Sequence, residues 1–85
     1  MYNLNKFNKL PNREKLALVE EQGTYLELIR KDSHLKIRLF SLFQFYVEIY
    51  FSEGRVQLVT AIGINDQKLD QYLSTIDLTE IYAVL

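Results

Sequence analysis

The chain has 85 residues, of which 48% are apolar, so it is long enough for one domain with one hydrophobic core and too apolar for a disordered protein. Cysteine is absent, which excludes disulfides and thiolate metal sites. The net charge is −1, and bases predominate over residues 1–38 whereas acids predominate over residues 39–85. This balance argues against a dedicated nucleic-acid binder.

Residues 1–11 are rich in asparagine and lysine, with Leu4, Phe7 and Leu10 spaced by three. Asparagine is a poor residue for a helix interior, so we expect an N-terminal arm. The arm is either a frayed helical turn or a segment that docks its three apolar side chains. It lacks the apolar stretch of a secretory signal, and no apolar run reaches the roughly 18–20 residues that span a bilayer. We therefore expect a cytoplasmic protein.

The first predicted helix is Asn12–Gln22, and its residues after Asn12, REKLALVEEQ, are good helix formers. Asn12 has the residue type of an N-cap, and Leu16 and Val19 share one face. Gly23 follows as the expected left-handed residue at the C-terminus. A helix of this length is unstable alone in water, so it must pack on another element.

Four segments rich in β-branched and aromatic residues predict strands over residues 24–30, 34–40, 44–51 and 55–62. The third, QFYVEIYF, has the pattern of a central strand, with an apolar face and a second face of Tyr46, Glu48 and Tyr50. Residues 31–33, 41–43 and 52–54 connect the strands, and Gly54 is expected to need a positive φ.

The region after Gly63 predicts two further helices. Asn65 or Asp66 would cap the first, whose apolar residues follow the i, i+3, i+4, i+7 rule: Leu69, Tyr72, Leu73 and Ile76. Asp77 and Glu80 have the spacing of a capping box, so a short final helical turn is expected through Ile81 and Val84.

Short connections favour an antiparallel meander. We predict one α+β domain of two layers, with a four-stranded antiparallel sheet and all helices packed on one face. Residues 1–11 would be the arm and residues 12–85 the folded core.

If the helices cover the face with Phe45, Val47 and Ile49, the opposite face is unusually rich in aromatic residues for a solvated surface. We expect an interaction face there, formed by Tyr25, Lys36, Arg38, Phe40, Tyr46, Glu48 and Tyr50. Its predicted partner is a second copy of the chain or another protein. Two alternatives stay open: the arm or the C-terminal tail covers this face, or aromatic residues beside Lys36 and Arg38 stack nucleic-acid bases.

Motifs for catalysis, metals and cofactors are absent. The single histidine, His34, is interpreted as a surface or turn residue because a transition-metal site needs several further ligands. The sequence has no P-loop, no G-x-G-x-x-G and no G-x-S-x-G. We expect no cofactor, no metal and no enzymatic activity; an enzyme that uses Glu48 with Tyr46 and Tyr50 is the minor alternative.

The chain resembles a group of small uncharacterised bacterial α+β proteins. Three motifs carry the resemblance: R-x-x-L-x-L-V-x-x-x-G over residues 13–23, an F-V-E-V-like strand over 46–49, and Y-L-x-x-I-D-L-x-E over 72–80. The resemblance implies an α+β fold and a bacterial origin, and it brings no activity or binding residues. The order of elements also resembles the double-stranded-RNA-binding fold in outline. The extra strand and the acids Asp66 and Asp70 beside Lys68 depart from that family's binding pattern.

Overall fold

The computed structural model describes residues 2–73 of the chain. Seven elements follow one another in this part: α1 (Leu4–Asn8), α2 (Asn12–Gln22), β1 (Thr24–Asp32), β2 (Leu35–Leu42), β3 (Phe45–Ser52), β4 (Arg55–Ile62) and α3 (Lys68–Leu73). The strands form a single antiparallel sheet in the order β1-β2-β3-β4. The predicted α+β class and four-stranded meander are confirmed.

Each hairpin closes with a two-residue turn. Asp32 pairs with Leu35, Leu42 with Phe45, and Ser52 with Arg55. The first turn residue has a positive φ in all three, at 59° for Ser33, 53° for Phe43 and 54° for Glu53. Gly54 follows at 77°, which confirms the conformation predicted for it. Positive φ at the first turn position matches the twist of the paired strands.

The strand register divides the side chains between two faces. Residues directly opposite each other in neighbouring strands lie on the same face. Phe40 is opposite Val47 and Arg38 is opposite Ile49, whereas Leu39 is opposite Glu48. The residues that pack with α1 and α2 define the α1–α2 face, which includes Phe40, Val47, Ile49, Val59 and Ala61. The residues that pack with α3 define the α3 face, which includes Leu28, Ile37, Leu39, Tyr46 and Ile62.

The helices lie on both faces, so the prediction that they share one face is wrong. Phe7 of α1 and Val19 of α2 are buried in a cluster with Phe45, Val47 and Ile49. Tyr72 of α3 is buried in a separate cluster with Ile37 and Leu39. Both faces of the sheet are apolar at their centres, and each needs a covering element to remove that surface from water.

The N-terminal arm contains a short helix and also contributes to the core. Asn3 caps α1, because its side-chain oxygen accepts a hydrogen bond from the Lys6 N–H at 2.8 Å. Phe7 is completely buried, with its ring 5.5 Å from that of Phe45. Both features that were considered for the arm, a helical turn and apolar docking, are therefore present.

The span predicted for α2 is confirmed, but both predicted caps are wrong. Pro11 precedes the helix in an extended conformation, and Asn12 uses its side chain on β4 instead. Gly23 is extended, with φ −81°, rather than left-handed. A Cβ at Gly23 would lie 2.7 Å from the Val19 carbonyl oxygen, so close packing rather than a positive φ explains the glycine.

Asp66 caps the start of α3, as predicted, because its carboxylate accepts a hydrogen bond from the Lys68 N–H at 2.9 Å. The predicted continuation to Ile76 lies outside the described residues. The capping box at Asp77 and the final helical turn through Ile81 and Val84 lie outside them as well.

Candidate functional site

The seven residues predicted to form one interaction face are divided between the two faces of the sheet. Tyr25, Lys36, Arg38 and Phe40 lie on the α1–α2 face, and Tyr46, Glu48 and Tyr50 lie on the α3 face. The expectation of one continuous aromatic surface is therefore wrong. One shift in register causes the difference: the two-residue turn at Phe43 reverses the faces of β2 relative to β3. An extra residue at Gln57 likewise reverses the end of β4, which carries none of the seven residues.

Glu48 lies at the centre of a buried polar cluster on the α3 face. Its carboxylate has no exposed surface and accepts from the Arg30 Nε–H at 2.8 Å and the Tyr72 hydroxyl at 2.5 Å. Tyr50 donates to the other carboxylate oxygen at 3.2 Å. Arg30 also donates to the Tyr50 hydroxyl and to the Gln71 side-chain oxygen, both at 3.0 Å. The cluster joins β1, β3 and α3.

Electrostatics in this cluster keep Arg30 charged and both phenols protonated. Burial acts to lower the pKa of Arg30, but the hydrogen bond and the charge of Glu48 outweigh it, so the pKa is raised. Burial, reinforced by the Glu48 carboxylate, raises the pKa of Tyr50 and of Tyr72 above the ordinary value of 10.0. Both oxygens of Glu48 thus accept hydrogen bonds from groups that hold their protons.

This arrangement holds α3 against the sheet. A buried charge is tolerated when it is paired and its remaining lone pairs accept hydrogen bonds, and Glu48 meets both conditions. The Arg30 guanidinium also lies near the rings of Tyr50 and Tyr72, with centroid distances of 5.7 and 5.8 Å. Because the carboxylate has no exposed surface, it offers no contact for a docked partner, in contrast to the role predicted for it.

The raised tyrosine pKa values predict a loss of stability in alkaline solution. Above pH 10 the unfolded chain releases the Tyr72 proton while the folded chain retains it, so the free energy of unfolding falls as pH rises. Each such tyrosine contributes a slope of about 1.4 kcal/mol per pH unit. Burial lowers the pKa of Lys15 from its ordinary value of 10.5. Just below pH 10.5 this residue therefore makes the free energy of unfolding rise with pH, opposite to the effect of the tyrosines.

Urea unfolding between about pH 9 and 11.5 measures this slope. We expect Tyr72→Phe to have a shallower decline than the original protein, whatever its stability at neutral pH. Tyr25→Phe is the matched control, since Tyr25 is 37% exposed and lies on the other face. Equal slopes for Tyr72→Phe and the unsubstituted protein would contradict the assignment.

On the α1–α2 face, Arg38 lies between aromatic rings. Its guanidinium carbon is 5.9 Å from the ring centroid of Tyr25 and 5.1 Å from that of Phe51. The rings of Tyr25 and Phe40 are 5.0 Å apart. Four of the seven predicted residues therefore remain together, and the negatively charged Glu48 is not among them.

The two edges of the sheet differ. Side chains from α1 and α2 occupy the backbone groups of two β4 residues, Val59 and Ala61. Asn8 accepts from the Ala61 N–H at 2.7 Å and donates to the Ala61 carbonyl at 3.0 Å. Asn12 accepts from the Val59 N–H at 3.3 Å, and Lys15 donates to the Val59 carbonyl at 2.8 Å. Over these two residues, the bonds take the place of a fifth strand.

The opposite edge, β1, has no such protection in the described part of the chain. Among residues 2–73, no hydrogen bond from outside the sheet reaches the backbone of Thr24–Asp32. Its residues are mostly exposed, and Leu26 and Glu27 form a bulge, with Glu27 at φ 59°. Regular strand geometry therefore remains over residues 28–32, where an exposed edge can pair with another strand.

Sequence reasoning did not identify Arg30, Asn8, Asn12 or Lys15 as site residues. Arg30 was placed at a strand end, although its alternation with Leu28 already puts it on an otherwise apolar face. The three residues that occupy the β4 edge have no signal in a single sequence, because their spacing to Val59 and Ala61 depends on the fold.

Among residues 2–73, no group of three or more His, Asp or Glu side chains is close enough to hold a metal ion. In the same range, no helix is long and apolar enough to cross a membrane. Comparison of the chain with protein-family models, with curated proteins and with solved structures gave no match. The resemblance to small bacterial α+β proteins therefore stays a prediction.

Proposed function

We propose that this protein is a non-enzymatic interaction module that self-associates by pairing the β1 edges of two copies. The observation that carries the proposal is the asymmetry of the two sheet edges. Backbone groups of β4 at Val59 and Ala61 are occupied by Asn8, Asn12 and Lys15, whereas within residues 2–73 no side chain occupies those of β1. When one edge of a sheet is open and the opposite edge is protected, two copies can pair through their open edges and no further copy can add.

Charges along β1 favour one antiparallel register. With a two-fold axis at Ile29, residues 28–30 of the two copies pair. Lys31 of one copy then lies next to Glu27, the bulge residue that flanks the paired segment of the other, and this contact occurs twice by symmetry. Registers centred on Arg30 or Lys31 would place like charges directly opposite each other, which is unfavourable. Lys31 also faces Lys36 across its own hairpin, so a carboxylate from a second copy would relieve that repulsion.

Self-association would thus occur through the β1 edge of the sheet and not through the predicted aromatic face. Tyr25 and Ile29 project from β1 on the α1–α2 face and would flank the joined strands. A cytoplasmic location is part of the proposal and is supported by the lack of cysteine. The bacterial origin rests on the resemblance alone.

A charge-reversal cycle tests the register. We expect the unsubstituted protein to form dimers, and Glu27→Lys or Lys31→Glu alone to raise the dimer dissociation constant at least about tenfold, because each replaces two attractive pairs by two repulsive ones. The combined variant restores opposite charges and should regain most of the affinity. Light scattering over a concentration series measures the mass.

Lys9→Glu is the matched control, since Lys9 is exposed at the end of α1, away from the β1 edge. Circular dichroism checks that each variant is folded. A protein that stays monomeric up to about 1 mM contradicts self-association. A dimer whose dissociation constant is unchanged by Glu27→Lys and by Lys31→Glu contradicts the β1 register.

A further inference from the structure

We propose that the open end of the α1–α2 face is a binding site for a phosphate group, with Arg38 as its main ligand. A cleft of about 410 Å³ lies there, between the β1–β2 turn and the β3–β4 turn. Three of its six lining residues carry nitrogen donors on their side chains. The lining residues are His34, Lys36, Arg38, Phe51, Glu53 and Gly54.

Arg38 is held in place, but its guanidinium has no hydrogen-bond acceptor in the part of the chain that the structure describes. Its guanidinium lies between the rings of Tyr25 and Phe51, which restrict its position. Its Nε is buried and has no hydrogen-bond partner among the described residues. A buried donor without an acceptor destabilises the protein. An oxyanion in the cleft would accept from the terminal nitrogens of the guanidinium, and a small rotation of the side chain would let Nε–H donate to it as well.

Phosphate fits this cleft better than a carboxylate does. A carboxylate has two oxygens in one plane, which one guanidinium can engage. A phosphate group has additional oxygens that can accept hydrogen bonds from further donors. Lys36, two residues before Arg38 on the same face of β2, and His34 beyond it supply such donors. Glu53 lines the cleft as well and weakens the attraction for any anion.

The site is independent of the proposed pairing of β1 edges. Its lining residues belong to β2, β3 and the turns, and Glu27 and Lys31 are not among them. Binding of phosphate can therefore be measured on a monomer or a dimer, and failure of one proposal leaves the other standing.

An NMR titration tests the site with inorganic phosphate, adenosine monophosphate, a short single-stranded oligonucleotide and succinate. We expect the phosphate probes to shift the Arg38 Nε–H signal in a saturable manner. Arg38→Lys keeps the charge but removes the fork, and should weaken binding about tenfold or more. Glu53→Gln, at an exposed turn, should tighten it about threefold.

Lys9→Gln is the control and should bind phosphate like the original protein. The two organic phosphate probes distinguish the source of the phosphate group: tighter binding of the oligonucleotide, with a steep dependence on salt, indicates a nucleic-acid backbone. Tighter binding of the nucleotide indicates a small phosphorylated ligand. No shift up to about 50 mM phosphate, equal affinity for succinate, or an Arg38→Lys variant with unchanged affinity overturns the proposal.

Discussion

Replacing Arg30 by methionine is expected to lower the free energy of unfolding by about 3–5 kcal/mol, because Glu48 then stays buried with its charge unpaired. Glu48 has no exposed surface, and Arg30 is its ion-pair partner at 2.8 Å. Domains of this size have a total stability of about 5–15 kcal/mol, so the variant should be marginally folded. Urea unfolding monitored by circular dichroism measures the loss.

A second variant separates the charge from the packing. Glu48→Gln combined with Arg30→Met removes both charges and leaves an amide that can still accept the Tyr72 hydrogen bond. The double variant should therefore recover most of the lost stability. Arg55→Met, an exposed arginine at the start of β4, is the matched control and should change stability by less than about 0.5 kcal/mol.

If Arg30→Met costs less than about 1 kcal/mol, Glu48 is not held as a buried ion pair. If the double variant is no more stable than Arg30→Met, the loss comes from the packing of the arginine side chain and not from the unpaired carboxylate. Either result would also remove the explanation given for the attachment of α3 to the sheet.

The elements of this fold follow from local patterns in the sequence. The bounds of α2 and β4 agree with prediction, and the other three strands differ by one or two residues at their ends. Alternation within a strand identifies that strand, because its side chains point to opposite faces whatever lies beside it. The helix at residues 4–8 was considered as one of two forms of the arm, since Asn5 and Asn8 weaken its helical pattern.

The assignment of faces depends on single residues in the connections. Residues 41–43 were interpreted as the link between β2 and β3, but β2 continues to Leu42 and the turn is Phe43–Gln44. Phenylalanine is an unusual residue at positive φ, so the sequence contains no turn signal there. A shift of one residue reverses every side chain of the strand, and the interaction face was divided for that reason.

Burial of Glu48 follows from the same shift. On the predicted outer face a carboxylate between two tyrosines has the pattern of a partly exposed surface. On the actual α3 face it lies beside Leu39, near Arg30, and beneath Tyr72. These contacts join residues 18 and 24 positions apart in the chain, and such pairs require the three-dimensional register.

Replacing Asn8 by alanine is expected to turn a limited association into an open-ended one. Asn8 occupies both the N–H and the carbonyl of Ala61, and its removal leaves these groups of the edge strand without partners. The loss of these bonds should also lower the free energy of unfolding by about 1–3 kcal/mol. With β1 open and β4 opened at Ala61, each copy can pair on two sides, so assemblies no longer close at two copies.

Light scattering and thioflavin T fluorescence during prolonged incubation measure this change. Asn5→Ala is the matched control, because Asn5 is an exposed residue of the same helix and makes no contact with β4 among the bonds described. We expect Asn5→Ala to behave like the unsubstituted protein, and Asn8→Ala to grow in mass with time and concentration. A second variant, Asn8→Ala with Glu27→Lys, weakens the β1 edge and should slow this growth. Growth that is unaffected by Glu27→Lys would show that the assemblies form without β1, and a constant mass in Asn8→Ala would show that Asn8 does not protect the β4 edge.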